Sequence, residues 1–198
     1  MTNLINMYDK ITVLVDEGRA VGIVYLDFSK AFDTASHKIL IDKVFMYGLV
    51  EQMVRWTENW LNGQAQRMVI SGTKSSWRPV TSNVPQGSVL YPVPFNILIN
   101  ALDNGADCIL SMFAGKKKLG GAADTPEGFD AIQMDLVSLE KWADNNLMKF
   151  NKDKCKVLHL GRNSLSHQYT LEATHMKSRL AENKLGVMVN TKLNMSQQ

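Results

Sequence analysis

Cysteine is scarce in this sequence, and so are long apolar runs. Cys108 and Cys155 are the two cysteines among 198 residues, too few for a disulfide framework. No run approaches the about 18 apolar residues of a membrane span, and residues 1–20 carry acidic groups where a secretory signal would be apolar. We therefore expect an intracellular chain with no membrane partner, its nuclear or cytoplasmic location left open.

A strong excess of one charge is also missing. Lysine and arginine total 22 against 19 acidic residues, which gives a net charge of +3 and a pI near 8.8. This balance permits a nucleic-acid partner without requiring one. Hydrophobic residues make up 45% and charged residues 21%, so the composition is that of a folded globular chain long enough for one domain.

Helical and strand patterns alternate along the chain, which predicts an α+β fold with helices packed on one face of a sheet. Apolar residues at helical spacing, with glycine or proline at the ends, define the helices. Short apolar runs and turn residues define the strands and hairpins. Helices are predicted at 4–15, 36–47, 51–61, 95–102 and 126–145, and strands or hairpins at 21–26, 65–81, 107–122, 155–160 and 184–189.

One stretch organises the rest of the chain. An apolar run from Val21 to Leu26 ends on Asp27 and is predicted to be a buried strand with a carboxylate at its tip. A rigid element that ends in a carboxylate is a common way to hold a divalent metal ion. Residues 29–31 then turn the chain into the aromatic-acid pair Phe32-Asp33.

Four motifs of the sequence carry a resemblance to a known family. Residues 25–34, YLDFSKAFDT, resemble the first catalytic motif of reverse transcriptases from non-LTR retrotransposons, the LINE and jockey-like group. Residues 84–90 resemble the family's Pro-Gln-Gly loop, and residues 142–161 resemble the motif that follows its catalytic turn. Residues 185–187 resemble the Leu-Gly pair at its palm–thumb border. The four motifs stand in the family's order.

The resemblance implies a right-hand polymerase palm, an antiparallel sheet with helices packed on one face. It implies a single partial reverse-transcriptase domain over residues 1–198, with the palm at about 8–190 and with fingers and thumb largely missing. The implied activity is RNA-directed DNA polymerisation by two Mg²⁺ ions. The implied partners are an RNA template, a DNA primer and a dNTP, and the oligomeric state stays open.

The family's functional residues map onto individual positions of this sequence. By resemblance, Asp27 is the first Mg²⁺ ligand, with the backbone carbonyl of Phe28 beside it. Lys154 matches the lysine proposed to assist the leaving phosphate, and the alternative is a solvated lysine at a strand edge. The positions implied to contact the template or the incoming nucleotide are Phe32, Gln86 and Gly87. The alternative for Phe32 is that it is a plain core residue.

The sequence departs from the family at its catalytic turn. Where the family has two aspartates, this chain has Gly115 and Lys116. Asp27 alone leaves too few anionic ligands for two Mg²⁺ ions, and a cation at the turn opposes metal binding. We therefore expect Lys116 to pair with Asp27, Mg²⁺ not to bind productively and the polymerase to be inactive.

Two other functional interpretations stay open. One is an active polymerase whose metal site is rebuilt from other carboxylates. The other is a remnant that binds nucleic acid without catalysis. The carboxylates that could rebuild the metal site in the first interpretation are Asp33, Asp103, Asp107 and Asp124.

Three further patterns have simpler explanations. The run Lys116–Lys118 is expected to be a solvated turn, with phosphate contact as the alternative. The tryptophans Trp56, Trp60 and Trp77 are expected to pack in the core or on a helix face, with base stacking as the alternative. The spacing of Cys155, His159, His167 and His175 fits no metal finger, and we do not expect these residues to bind a metal.

Overall fold

The computed structural model describes residues 2–82, 96–99, 108–113, 116–161, 167–179, 181–184, 187–190 and 195–197. Several residues singled out from the sequence lie outside these ranges: Gln86, Gly87, Asp103, Asp107 and Gly115. The chain forms two compact units. Residues 1–29, 103–144 and 149–198 form the first unit, and residues 30–102 and 145–148 form the second.

Helices and strands are interleaved along the described chain. The helices are α1 (Thr2–Asp16), α2 (Ala31–Thr34), α3 (His37–Met46), α4 (Glu51–Leu61) and α5 (Pro126–Asn145), and residues 96–99 are also helical. The strands are β1 (Val21–Asp27), β2 (Ala65–Gln66), β3 (Val69–Ile70), β4 (Thr73–Lys74), β5 (Arg78–Pro79), β6 (Ile109–Phe113), β7 (Lys116–Ala122), β8 (Lys156–Leu160), β9 (Thr170–Leu171), β10 (Thr174–His175), β11 (Lys177–Arg179), β12 (Ala181–Lys184), β13 (Val187–Asn190) and β14 (Met195–Gln197).

A five-stranded sheet in the order β11-β8-β1-β7-β6 is the centre of the first unit. Strand β1 is the middle strand of the sheet. Its residues from Val21 to Leu26 are all buried, so both of its faces must be covered by other elements. It pairs antiparallel with β7 and with β8, and β6 continues the antiparallel order beyond β7. The edge strand β11 joins β8 in parallel. The predicted α+β class is confirmed.

Helices cover both faces of this sheet, whereas the sequence predicted cover on one face. On one face Met7 and Ile11 of α1 pack with Ile23. On the other face α5 lies so close that a Cβ added at Gly22 or Gly121 would come within 3.3 Å or 3.1 Å of Ile132. The physical reason is that β1 is apolar on both of its faces, so each face requires a helix.

Helix α5 begins and ends where the sequence predicted. Pro126 occupies its first position, where the missing N–H costs nothing. Phe129, Ile132, Leu136 and Leu139 form its buried stripe at helical spacing.

The second unit contains the helix pair α3 and α4 and two short two-stranded ladders. Leu40 and Val44 are the buried apolar residues of α3, and Val54 and Leu61 are those of α4. Strand β2 pairs with β5, and β3 pairs with β4 around the turn at Gly72. The hairpin predicted at 65–81 is therefore present.

The C-terminal part of the first unit differs from the single strand predicted at 184–189. Strands β12 and β13 flank residues 185–186 and pair antiparallel, and β14 adds to β13. None of the helices in the described ranges has the length and apolar character needed to cross a membrane.

Candidate functional site at the end of the central strand

Asp27 is the last residue of β1, as the sequence predicted. The preceding residues are buried, and the Asp27 side chain is 18% exposed. The strand therefore carries one carboxylate to the rim of the sheet. Phe28 follows it and stacks on Phe150, with ring centroids 4.7 Å apart.

The loop 151–155 is fastened to the backbone of Asp27. The carbonyl oxygen of Asp27 accepts a hydrogen bond of 2.8 Å from the Asn151 N–H, and the Cys155 Sγ lies 3.8 Å from the same oxygen. The carbonyl of Asn151 in turn accepts 3.0 Å bonds from the N–H groups of Lys154 and Cys155. Burial raises the pKa of Cys155 to about 11, so its thiol stays protonated at neutral pH. These bonds close a turn that presents Lys154 beside Asp27.

The ion pair at the strand end joins Asp27 to Lys154. The Lys154 Nζ lies 3.6 Å from the Asp27 Oδ2. Lys116 stands opposite Asp27 in the β1–β7 register, but its side chain is exposed. The prediction that Lys116 would be the partner is wrong, since the fastened loop brings a different ammonium to the carboxylate.

The expectation of a solvated lysine turn is also wrong for two of the three lysines. Lys117 and Lys118 lie inside β7 and are 1% and 5% exposed. The Lys117 ammonium lies 4.8 Å from the ring centroid of Trp142 and 5.5 Å from that of Phe28. Cation–π attraction of this kind favours an ammonium over an aromatic face within about 6 Å.

Lys118 points to the opposite face of the sheet. Its Nζ donates a hydrogen bond of 2.9 Å to the Tyr8 hydroxyl and lies 4.6 Å from the Tyr8 ring centroid. The Tyr25 ring is 5.3 Å away. Each buried ammonium thus has its own aromatic surroundings. One signal in the sequence could have indicated this arrangement: a strand beside a doubly buried β1 must itself turn alternate side chains toward both helices.

The carboxylates near Asp27 do not assemble a metal site. Asp153 lines the same cavity as Asp27, together with several cations. Mg²⁺ requires a near-octahedral set of oxygen ligands, usually with more than one carboxylate or phosphate. Across the described ranges, no group of three or more His, Cys, Asp or Glu side chains is arranged to hold a metal ion. The residues described at this strand end therefore do not fit the two-Mg²⁺ arrangement.

Two of the candidate replacement carboxylates are described, Asp33 and Asp124, and they belong to different units. Asp33 is an exposed residue of α2 in the second unit. Asp124 accepts bonds of 2.8 Å and 3.0 Å from the Arg19 guanidinium, which holds the pKa of that carboxyl below its usual value. Arg19 precedes the opposite end of β1, about 20 Å from Asp27 at about 3.3 Å per strand residue.

The cysteine and the three histidines named from the sequence have different surroundings. Cys155 lies beneath the Asp27 carbonyl. His159 and His167 flank Tyr169, with ring centroids 6.4 Å and 5.0 Å from it. His175 is an exposed residue of β10.

The tryptophans of the second unit do not enter its core. Trp56 is 49% exposed and stacks on Trp60 at 6.0 Å along α4. Trp77 is 60% exposed, and the Arg67 guanidinium lies 4.6 Å from its ring centroid. Helix-face packing fits Trp56 and Trp60.

The side chain of Phe32 is not among those described, so its role stays a prediction.

Residues 3–188 match the family model described as reverse transcriptase (RNA-dependent DNA polymerase). The chain belongs to the reverse transcriptase family. This identifies the strand that ends in Asp27 as part of a reverse transcriptase domain.

Curated relatives of this reverse transcriptase chain are mobile-element proteins. The RNA-directed DNA polymerase from mobile element jockey of Drosophila melanogaster is 25% identical over 194 residues, covering 89% of this chain and 20% of that protein. The Pol polyprotein from the type-2 retrotransposable element R2DM of the same organism is 30% identical over 143 residues, covering 69% of this chain and 14% of that protein. The chain thus spans a fifth or less of the length of these relatives.

Solved structures with the same fold are telomerases. The Candida albicans telomerase in complex with a fragment of telomeric RNA has a TM-score of 0.68 at 13% identity, covering 98% of this chain and 33% of that one. The apo telomerase of Candida tropicalis, truncated from its C-terminal domain, has a TM-score of 0.65 at 11% identity, covering 100% and 40%. At these identities the likeness concerns the fold alone.

Proposed function

We propose that this chain is the palm of a non-LTR retrotransposon reverse transcriptase, a single partial domain over residues 1–198, that has lost Mg²⁺-dependent nucleotidyl transfer. The observation that carries the proposal is the register of β1 with β7. Lys116 stands directly opposite Asp27, at the position where the family has one of its two aspartates. A cation therefore faces the one carboxylate that the first motif retains.

The chemistry of the strand end supports this proposal. Two-metal nucleotidyl transfer requires carboxylates that bridge both ions and neutralise their charge. Asp27 is already paired with Lys154, so a metal ion would have to displace an ammonium before it could bind. Lys116 would add repulsion at close range, where the surrounding protein screens charge less than water does. Asp27 is then left as a structural residue rather than a metal ligand.

The test is primer extension on an RNA template with Mg²⁺ and all four dNTPs, using the purified chain. We expect no extension above background. The matched variant carries Gly115→Asp and Lys116→Asp together, which returns both carboxylates to the turn. A circular-dichroism melt of both proteins establishes that they fold. Extension by the unmodified chain would refute the proposal, and extension by the restored variant alone would support it.

A second candidate function is binding of nucleic acid without catalysis. The observation that favours it is the set of cations that line a cavity with Asp27: Lys116, Lys154, Lys156 and Arg179. The partners would be an RNA template and a DNA primer, held through their phosphates. Binding to a template–primer duplex that weakens with rising salt, without extension, would separate this function from a fold with no remaining ligand.

A further inference from the structure

A small cavity opens at the Asp27 end of the sheet. Its volume is about 250 Å³. That is below the about 300 Å³ at which pockets for drug-sized ligands begin, so it suits a small group rather than a whole cofactor. Its charged lining residues are Lys116, Lys117, Lys154, Lys156, Arg179, Asp27 and Asp153.

The charge of this cavity is positive. The ammonium of Lys117 lies over aromatic rings on the other face of the sheet, so it does not count toward the cavity. Four cations then face two carboxylates, for a formal net charge of +2. The ion pair of Lys154 with Asp27 cancels one charge of each sign. An excess of cations at the Asp27 strand end is the reverse of what a divalent metal requires.

The cations come from separate parts of the chain, so a lysine-rich run does not explain them. Lys116 begins β7, Lys154 lies in the fastened loop, Lys156 begins β8 and Arg179 ends β11. The sheet order places β11, β8, β1 and β7 side by side, and β7 and β8 both begin at the Asp27 end. Strand β11 runs parallel to β8, so Arg179 stands opposite Leu158, two residues in from Lys156, and still lines the cavity. Within the described ranges, Lys116 and Arg179 have no ion-pair partner in the protein. Their charges are therefore available to a ligand.

The chemistry of these groups selects a phosphate-bearing anion. Arginine presents a planar fork of donors that matches phosphate oxygens, and lysine supplies a compact charge that binds phosphate as well. Concave surfaces lined by one sign of charge concentrate ligands of the opposite sign. A diphosphate group satisfies both the size and the charge of this cavity.

We infer that the cavity at the Asp27 end of the sheet binds a phosphate or diphosphate group directly, through Lys116 and Arg179, without a divalent metal ion. This inference rests on the proposed loss of the metal site. It differs from that proposal in assigning the strand end a ligand of its own. The phosphate could belong to free pyrophosphate, to a nucleoside triphosphate or to a nucleic-acid backbone.

The experiment is isothermal titration of the full chain with inorganic pyrophosphate in excess EDTA. We expect binding that persists without metal and weakens as salt rises. Lys116→Gln and Arg179→Gln should each weaken the affinity about fivefold to tenfold, because each removes one charge-assisted contact. Lys141→Gln is the matched control, since it removes an exposed lysine of α5 outside the cavity and should leave the affinity unchanged.

Competition identifies the source of the phosphate. If pyrophosphate displaces a bound dNTP, the ligand is a small-molecule phosphate. If it displaces an RNA–DNA duplex, the ligand is a backbone phosphate, and both results support the inference when they depend on Lys116 and Arg179. Absence of binding in EDTA, or equal binding by the Lys116→Gln and Arg179→Gln variants, would overturn it. The proposed function has a separate test. Primer extension by the unmodified chain with Mg²⁺ would refute it, whatever the result of the pyrophosphate titration.

Discussion

The Lys117 ammonium and the Trp142 ring are 4.8 Å apart in the interior of the first unit. This contact joins β7 to α5 on the face of the sheet opposite α1. A charged amine is expensive to bury, and it is tolerated where aromatic faces and other groups offset its lost hydration. The contact therefore ties the charge at position 117 to the stability of the unit.

Lys117→Glu should destabilise the chain strongly. The substitution puts a carboxylate against aromatic faces that repel it, at a side chain that is 1% exposed. The expected loss is about 3 kcal/mol or more in the free energy of unfolding, as for other uncompensated buried charges. Urea denaturation measures it. Lys141→Glu is the matched control and should shift the free energy by about 0.5 kcal/mol or less, because that lysine is exposed on α5 and lies outside the cavity. Equal effects of the two variants would contradict the buried position of Lys117.

Gly128→Ala should also destabilise the chain. A Cβ at this position would overlap the carbonyl oxygen of Ala122, a backbone atom at the end of β7 that cannot rotate away. The expected cost is about 1–3 kcal/mol, as for other overpacked sites, and thermal melting measures it.

The control for Gly128→Ala is Ser138→Ala. Ser138 is an exposed residue of the same helix, where alanine is the better helix former. This variant should match or slightly exceed the wild-type melting temperature. A Gly128→Ala variant as stable as the Ser138→Ala variant would mean that the junction between β7 and α5 is looser than the structure describes.

His159 should make the stability depend on pH. Burial lowers the pKa of its imidazole below the ordinary value of 6.5, so the folded chain favours the neutral ring. The unfolded chain takes up a proton at higher pH than the folded chain. The stabilisation that comes from keeping the His159 ring neutral is therefore complete above about pH 6.5. It is lost as the pH falls toward the pKa of His159 in the folded chain.

Denaturant melts between pH 7.5 and pH 5 measure this effect. His159→Gln should flatten the loss of stability toward low pH, although it lowers stability at neutral pH by removing a buried ring. His175→Gln is the control, because His175 is exposed and should leave the pH profile unchanged. A His159→Gln profile parallel to that of the wild type would show that other groups cause the acid sensitivity.

The elements with strong local signals were predictable from the sequence. Helix α5 was predicted at its observed bounds because Pro126 starts it and a regular apolar stripe runs along it. Strand β1 was predicted because it is a short apolar run that ends on a charge. In both cases the decisive information lies within a window of about 20 residues or fewer.

The electrostatics of the site could not be predicted in the same way. Three adjacent charges next to a glycine look exposed in any local window, so the sequence predicts a solvated turn for Lys116–Lys118. Burial of Lys117 and Lys118 depends on α1 and α5, which lie more than a hundred positions apart in the sequence and cover opposite faces of one strand. The partner of Asp27 likewise depends on hydrogen bonds from a loop more than a hundred residues away.

The fastening of the loop 151–155 to Asp27 has an evolutionary consequence. It uses the main-chain oxygen of residue 27, which every amino acid possesses, and not the carboxylate. Mutation can therefore remove the acid without unfastening the loop. The position of the loop, and with it the shape of this strand end, is therefore independent of the side chain at position 27.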